Sequence, residues 1–112
     1  MNTVRSFEAD YDRYRFDFGH CTAARGFAQV DTSQDAWYYG TWANPHRLMI
    51  VSYAEGDVTI QTADTPAEFA AELRRIRAWN DEQGHEFLGI DPGFNDTLRA
   101  RFCEIGLAEL LH

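Results

Sequence analysis

Polar and apolar residues alternate along several segments of this 112-residue chain, and alternation with a period of two is typical of β-strands. The clearest case is residues 11–18, where Tyr14, Phe16 and Phe18 alternate with charged residues. The same pattern, together with flanking turn residues, predicts further strands at residues 26–31, 36–43, 47–54, 58–63 and 85–90.

Residues 35–63 read as two successive β-hairpin arms. Asn44-Pro45 ends the first strand of this segment, because proline favours an extended preceding residue and cannot donate to a strand ladder. Glu55-Gly56 forms the next tight turn, since glycine tolerates a positive φ. Hairpin connections this short predict an antiparallel sheet.

A strongly signalled helix follows the last of these strands. Thr65 is the expected N-cap, Pro66 occupies the first helical position, and Glu68 completes a capping box. Gly84 is the expected C-terminal stop. An apolar stripe at helical spacing should pack on the sheet. The positions near this line are Phe69, Leu73, Ile76, Trp79, Asn80 and Gln83, whereas Arg74, Arg75 and Arg77 should face outward.

A second helix is predicted from about Asn95, its N-cap, to Ile105. The leucines that follow, Leu107, Leu110 and Leu111, indicate either a last helical turn docked on the body or a contact with another chain. The predicted fold is therefore a single α+β domain over residues 1–112, with an antiparallel meander of about five strands. One helix packs on one sheet face, and a second helix lies near the C-terminus.

The apolar segments are too short for a membrane protein. The longest uninterrupted run covers residues 48–51, far below the length needed to cross a bilayer, and residues 1–12 contain no apolar core typical of a secretory signal. Cys21 and Cys103 belong to no paired motif and are expected to be reduced thiols. These features favour a cytoplasmic location.

The net charge is −8, and all ten basic residues are arginine. Between Asp31 and Glu72 there are seven acidic residues against Arg47 alone, a local balance of −6. Such a balance argues against direct nucleic-acid binding through phosphates and favours basic partners. The acidic residues either form a solvated surface in turns or imitate a nucleic-acid backbone toward a basic protein.

Aromatic residues make up 14% of the chain, and the most distinctive group lies on the third predicted strand. In an extended strand neighbouring side chains point to opposite faces, so large rings are expected on both faces of the sheet. Only one face can contact the first helix. The other needs a cover from this chain, a second subunit or a ligand. The predicted partner-binding surface, with an acidic border, comprises Trp37, Tyr38, Tyr39, Trp42, Glu55 and Asp57.

No catalytic or metal motif of high specificity is present. His20 and Cys21 are neighbours that point apart in an extended chain, so a thiol–imidazole pair would need another histidine. Asp91 begins an Asp-Pro-Gly sequence that is typical of a turn, although a catalytic carboxylate also fits there. A metal site would draw on His20, Cys21, His46, His85 and Asp91, which lack the usual close ligand spacing. We therefore predict no catalytic residues, no metal and no cofactor.

The sequence favours a non-enzymatic binding or regulatory module. Its partner would be a protein, for example a basic one that handles nucleic acid, contacted through the aromatic sheet face. One alternative is a small enzyme that uses Cys21 or Asp91 with a histidine. Another is a structural homo-oligomer, such as a homodimer, that hides the aromatic face and the C-terminal leucines. Neither nucleic acid nor membrane is an expected direct partner.

Overall fold

The computed structural model describes residues 5–8, 21–34, 39–55 and 57–112. These residues form one antiparallel sheet with the strand order β1-β5-β4-β3-β2-β6. Strands β2 to β5 follow one another as a meander, so the predicted α+β class is confirmed. The strands are β1 (Arg5–Glu8), β2 (Ala28–Thr32), β3 (Tyr39–Asn44), β4 (Met49–Ala54), β5 (Asp57–Thr62) and β6 (Phe87–Asp91).

The strands differ from the sequence expectations at several bounds: β2 begins at Ala28 rather than at residue 26, and β6 begins at Phe87 rather than at residue 85. The first strand, β1, was not predicted, because its four residues are too few to show a clear alternation. The strand predicted at residues 11–18 lies outside the described residues. The strand predicted from Arg47 instead begins at Met49. Asn44 explains this delay: its Oδ1 accepts from the backbone N–H groups of His46, at 3.1 Å, and Arg47, at 3.0 Å, and so holds a turn.

Both predicted helices are present, with their predicted N-cap residues. The capping box at the first helix is only half formed, because Glu68 Oε2 has no hydrogen-bond partner among the described residues. Helix α1 (Pro66–Glu82) begins after Thr65, whose hydroxyl oxygen accepts from the N–H of Glu68 at 3.2 Å. Helix α2 (Asp96–Glu104) begins after Asn95, whose Oδ1 accepts from the N–H of Leu98 at 3.0 Å. Two short 3₁₀ turns, Ala23–Arg25 and Ala108–Leu110, complete the described helical structure. Within the described ranges, no helix combines the length and the apolar character needed to cross a membrane.

The main core lies between the helices and one face of the sheet. Helix α1 contributes Phe69 and Leu73, and α2 contributes Leu98 and Phe102, all at most 1% exposed. The sheet contributes buried side chains from four strands: Ala28, Val30, Ala43, Ile50 and Ile90. Leu107 and Leu110 complete the same core, which confirms that the C-terminal turn docks on the body.

The opposite face of the sheet carries a second, smaller core. Val51, Val58 and Ile60 are buried there beside Phe27, at 0 to 8% exposure. Cys21, Trp42, Met49 and Tyr53 are partly buried around these four residues. The apolar surface on this face is therefore largely removed from water within a single chain.

The end of the chain pairs with β6. Leu111 forms a parallel bridge with Ile90, and the N–H of His112 donates to the Ile90 carbonyl at 2.8 Å. Gly89 permits this contact, because its φ is +124° and an added Cβ would lie 2.9 Å from the Cα of His112. Both the backbone conformation and the close approach therefore require glycine at this position.

We predict that Gly89→Ala lowers the free energy of unfolding by about 3 kcal/mol, because it combines backbone strain with a backbone contact that cannot relax easily. Gly84→Ala is the matched control. Gly84 also has a positive φ, +79°, but an added Cβ would meet no atom within 4 Å, so it should cost only about 1 kcal/mol. Urea unfolding followed by circular dichroism measures both values, and equal losses would contradict the role assigned to the His112 contact.

Candidate functional site

A cavity of about 550 Å³ lies between the second half of α1 and the sheet. Ile76, Trp79 and Asn80 line it from the helix. The sheet contributes mostly small or polar residues, among them Thr32, Thr41, Ser52, Ala54 and Gln61, and Leu88 lies at its edge. Its volume falls within the range of small-molecule binding sites in proteins, about 300–1,000 Å³.

The cavity follows from the register of β3 and β4. Ala43 faces Ile50 across the two strands, and Thr41 faces Ser52 two residues further along. Side chains two residues apart share a sheet face, so both pairs lie on the face that carries α1. The first pair joins the core with Phe69. The second pair consists of short hydroxyl side chains, which leave the space beneath the end of the helix unfilled.

Asn80 is the most unusual residue of the cavity wall. Its side chain is only 4% exposed, and its Nδ2 donates to the Ile76 carbonyl at 2.9 Å. Its Oδ1 is buried and has no hydrogen-bond partner in the described part of the chain. A buried polar atom without a partner costs about 1–3 kcal/mol, so this acceptor is a specific feature that needs an explanation.

A buried carboxylate connects α1 to β5 beside the cavity. Glu72 is 3% exposed and accepts hydrogen bonds from Arg75, the shortest of which comes from Nη2, and from Gln61 Nε2 at 3.5 Å. The hydrogen bond to Glu72 raises the pKa of the Arg75 guanidinium. These contacts hold Arg75 and Gln61 at the cavity wall.

Aromatic and apolar side chains border the cavity. Trp79 and Leu88 are 44% and 45% exposed, which is high for such large apolar side chains. Tyr39, also on the lining, donates its hydroxyl to Glu55 Oε1 at 2.8 Å. This hydrogen bond, reinforced by the negative charge of Glu55, raises the pKa of Tyr39 above its ordinary value.

We predict that Glu55→Gln lowers the pKa of Tyr39 toward the ordinary tyrosine value. Formation of a phenolate beside a carboxylate is unfavourable. The contact therefore stabilises the fold at pH values below the pKa that Tyr39 has in the unfolded chain, and this stabilisation is lost as pH rises through the higher pKa of the folded state. Phenolate absorbance during a pH titration measures the change, with Tyr39→Phe identifying the signal of this residue. Glu104→Gln, which alters a carboxylate paired with Arg101, is the control. An unchanged pKa in Glu55→Gln would contradict the assigned cause.

The structure separates the residues of the predicted partner surface. Tyr39 lines the cavity beneath α1, whereas Trp42 packs on the opposite face with Val51, as strand alternation requires. The indole of Trp42 lies over Gly40, where an added Cβ would meet the ring at 2.7 Å. Within the predicted surface, Tyr39 and Glu55 are in direct contact.

Three further members of that surface are Trp37, Tyr38 and Asp57. Trp37 and Tyr38 lie outside the described residues. Asp57 is the first residue of β5, where its backbone is in register with Ala54. The partner-binding role of the six residues stays a prediction.

The other chemical candidates are spread over the molecule. Cys21 is half-buried beside the second core, His46 is exposed in a turn, and His85 lies 6.3 Å from Trp79 between ring centroids; His20 lies outside the described residues. Asp91 Oδ1 accepts from the N–H of Gly93 at 2.9 Å, as expected for the turn interpretation. In the described ranges, no three His, Cys, Asp or Glu side chains are grouped to hold a metal ion.

Three cavity residues were missed as site residues in the sequence. Asn80 lies on the apolar stripe of α1, and a polar residue within such a stripe is the one local signal that was available. Thr41 and Ser52 carry no such signal, because either residue is ordinary in a half-buried strand. Only the strand register shows that these two residues face each other across β3 and β4, on a cavity wall that also includes Asn80.

Comparison of the chain with protein-family models, with curated proteins and with solved structures finds no match.

Proposed function

We propose that this protein is a non-enzymatic binding module whose ligand is a small molecule held between α1 and the sheet. One observation carries the proposal: a cavity of about 550 Å³ whose wall includes Asn80, an amide with a buried Oδ1 that has no hydrogen-bond partner among the described residues. Ligand pockets usually combine an apolar lining with a few fixed polar groups, and this cavity has both.

The chemistry of the lining favours binding over catalysis. The lining side chains on the face of α1 carry hydroxyls, amides, aromatic rings and an arginine that is paired with Glu72. Asp31 also borders the cavity, but its side chain projects from the opposite sheet face. Among the described residues that line the cavity, none is a cysteine or a histidine. An activated nucleophile needs a base within hydrogen-bond reach, so the enzyme alternative gains no support from this lining.

A dye-binding experiment tests the cavity. N-phenyl-1-naphthylamine is an uncharged aromatic amine whose fluorescence rises in apolar surroundings. We predict that it binds the wild-type protein, and that Thr41→Phe weakens this binding at least about tenfold, a loss of about 1.4 kcal/mol. The reason is that the phenyl ring would occupy space between β3 and α1.

Thr97→Phe is the matched control, since Thr97 is exposed on α2 and lies outside the cavity lining. Circular dichroism and thermal unfolding should show that both variants keep the fold. If the wild-type protein does not bind the dye, or if the two variants bind it equally well, the cavity is not the binding site.

A second candidate function is docking of a basic protein on the opposite sheet face. Trp42 lies on that face in register with Gln29, and the same side of β2 carries Asp31. Partial burial raises the pKa of Asp31, the nearby charge of Asp91 adds to the rise, and His112 opposes it. A cationic partner would relieve the repulsion between these two carboxylates. We also propose a cytoplasmic location, which the free thiol of Cys103 supports.

We predict that a fluorescent oligo-arginine peptide binds the protein at low salt and that Asp31→Asn/Asp91→Asn weakens this binding several-fold. Fluorescence anisotropy over a salt titration measures the effect, since a charge-driven contact must weaken as screening increases. Asp81→Asn/Glu86→Gln removes two exposed charges elsewhere and is the control. Binding that is independent of salt, or equal losses in both double variants, would count against this docking surface.

A further inference from the structure

The buried amide of Asn80 restricts the chemistry of a ligand in the cavity. Its nitrogen is already used, because Nδ2 donates to the Ile76 carbonyl of the preceding helical turn. The Ile76 carbonyl is also at the position that accepts the ordinary helical bond from the Asn80 N–H, so α1 does not depend on the side chain. The free capacity of Asn80 is therefore acceptor capacity on Oδ1.

The sheet side of the cavity adds hydroxyl groups. Thr41 and Ser52 face each other across β3 and β4 on the lining. A hydroxyl both donates and accepts, so this pair tolerates either kind of polar group on a ligand. Asn80 is more selective, because an amide oxygen accepts a hydrogen bond only from an N–H or O–H donor.

The charges of the lining disfavour a charged ligand of either sign. Arg75 carries a positive charge at the wall, 59% exposed and already paired with Glu72. The chain as a whole has a net charge of −8. The net negative charge of the protein would repel an anion. A cation would be repelled by Arg75, and the carboxylate of Glu72 is already paired with Arg75 and so is not free to bind it.

We infer, on the basis of the proposed cavity function, that the ligand is an uncharged molecule with an apolar body and at least one N–H or O–H donor, which binds Asn80 Oδ1. The apolar body lies against Ile76 and Trp79, and the remaining polar groups of the ligand contact the hydroxyls of Thr41 and Ser52. Since Oδ1 is covered, the side chains around it must shift to admit the donor of the ligand, while Nδ2 keeps its hydrogen bond to the Ile76 carbonyl.

Three related dyes test the inference by fluorescence titration. N-phenyl-1-naphthylamine has one N–H donor and no charge, its N-methyl derivative lacks the donor, and 8-anilinonaphthalene-1-sulfonate keeps the donor but adds a negative charge. The wild-type protein should bind the first dye about tenfold more tightly than the second, as expected for one hydrogen bond to a buried acceptor. It should bind the sulfonate at least about tenfold more weakly than the first dye.

Asn80→Leu should bring the affinities of the two uncharged dyes to within about twofold of each other while both still bind. Gln83→Leu, which removes an exposed amide just beyond α1 and outside the lining, should keep the tenfold preference. Should Asn80→Leu fail to fold by circular dichroism, Asn80→Ala provides the same comparison with a smaller side chain.

The possible failures can be distinguished. If the uncharged dyes bind equally well to the wild-type protein and Thr41→Phe blocks both, the cavity is a binding site but the inferred donor recognition is wrong. A preference that survives in Asn80→Leu, or tight binding of the sulfonate, also overturns the inference and leaves the cavity function standing. If neither uncharged dye binds the wild-type protein, the proposed function and the inference fail together.

Discussion

The packing of Phe69 and Leu73 against the sheet fixes how α1 lies above it. These two side chains are essentially inaccessible to water and share a core with Ala43 and Ile50. Burying side chains of this size is worth about 1.5–3 kcal/mol each, so this part of the interface determines the separation of the two layers. Because a helix is rigid, fixing one end of α1 also fixes the distance between the rest of the helix and the sheet. Where the facing strands carry short side chains, the remaining space becomes the cavity.

Polar groups at this interface connect stability with binding. Glu72 is almost completely buried, yet its oxygens are engaged by Arg75 and Gln61, so it anchors α1 to β5. Asn80, two turns further along the helix, is also buried, but its carbonyl oxygen has no partner among the described residues. Natural proteins tend to keep such unfavourable groups at functional sites, where a bound molecule can satisfy them. The contrast between these two residues supports the choice of the cavity as the functional site.

Local signals in the sequence predicted most of the fold. Alternation and short turns identified the meander, and the caps at Thr65 and Asn95 placed both helices close to their observed starts. These signals work because capping and strand alternation depend on residues near one another in the chain. The start of β4 was misplaced although its cause is also local: the side-chain oxygen of Asn44 accepts from the N–H groups of His46 and Arg47 and holds a turn that delays the strand.

The candidate site was much less accessible to sequence reasoning. A cavity depends on which side chains face each other across strands and layers, and no short pattern records that Thr41 pairs with Ser52 on a cavity wall that also includes Asn80. The aromatic residues between positions 37 and 42 were predicted to form a binding surface because of their composition alone. Alternation places Tyr39 and Trp42 on opposite faces, so Tyr39 lines the cavity and Trp42 packs on the second core.

The pairing of Leu111 and His112 with β6 has a consequence for the behaviour of the protein in concentrated solution. An exposed outer strand offers free N–H and C=O groups to strands of other molecules, which is a common route to aggregation. Here the backbone of the last two residues occupies part of that row at Ile90, and Gly89 lets them approach closely enough to do so. Leu111 and His112 therefore protect this part of the sheet edge from pairing with a strand of another molecule.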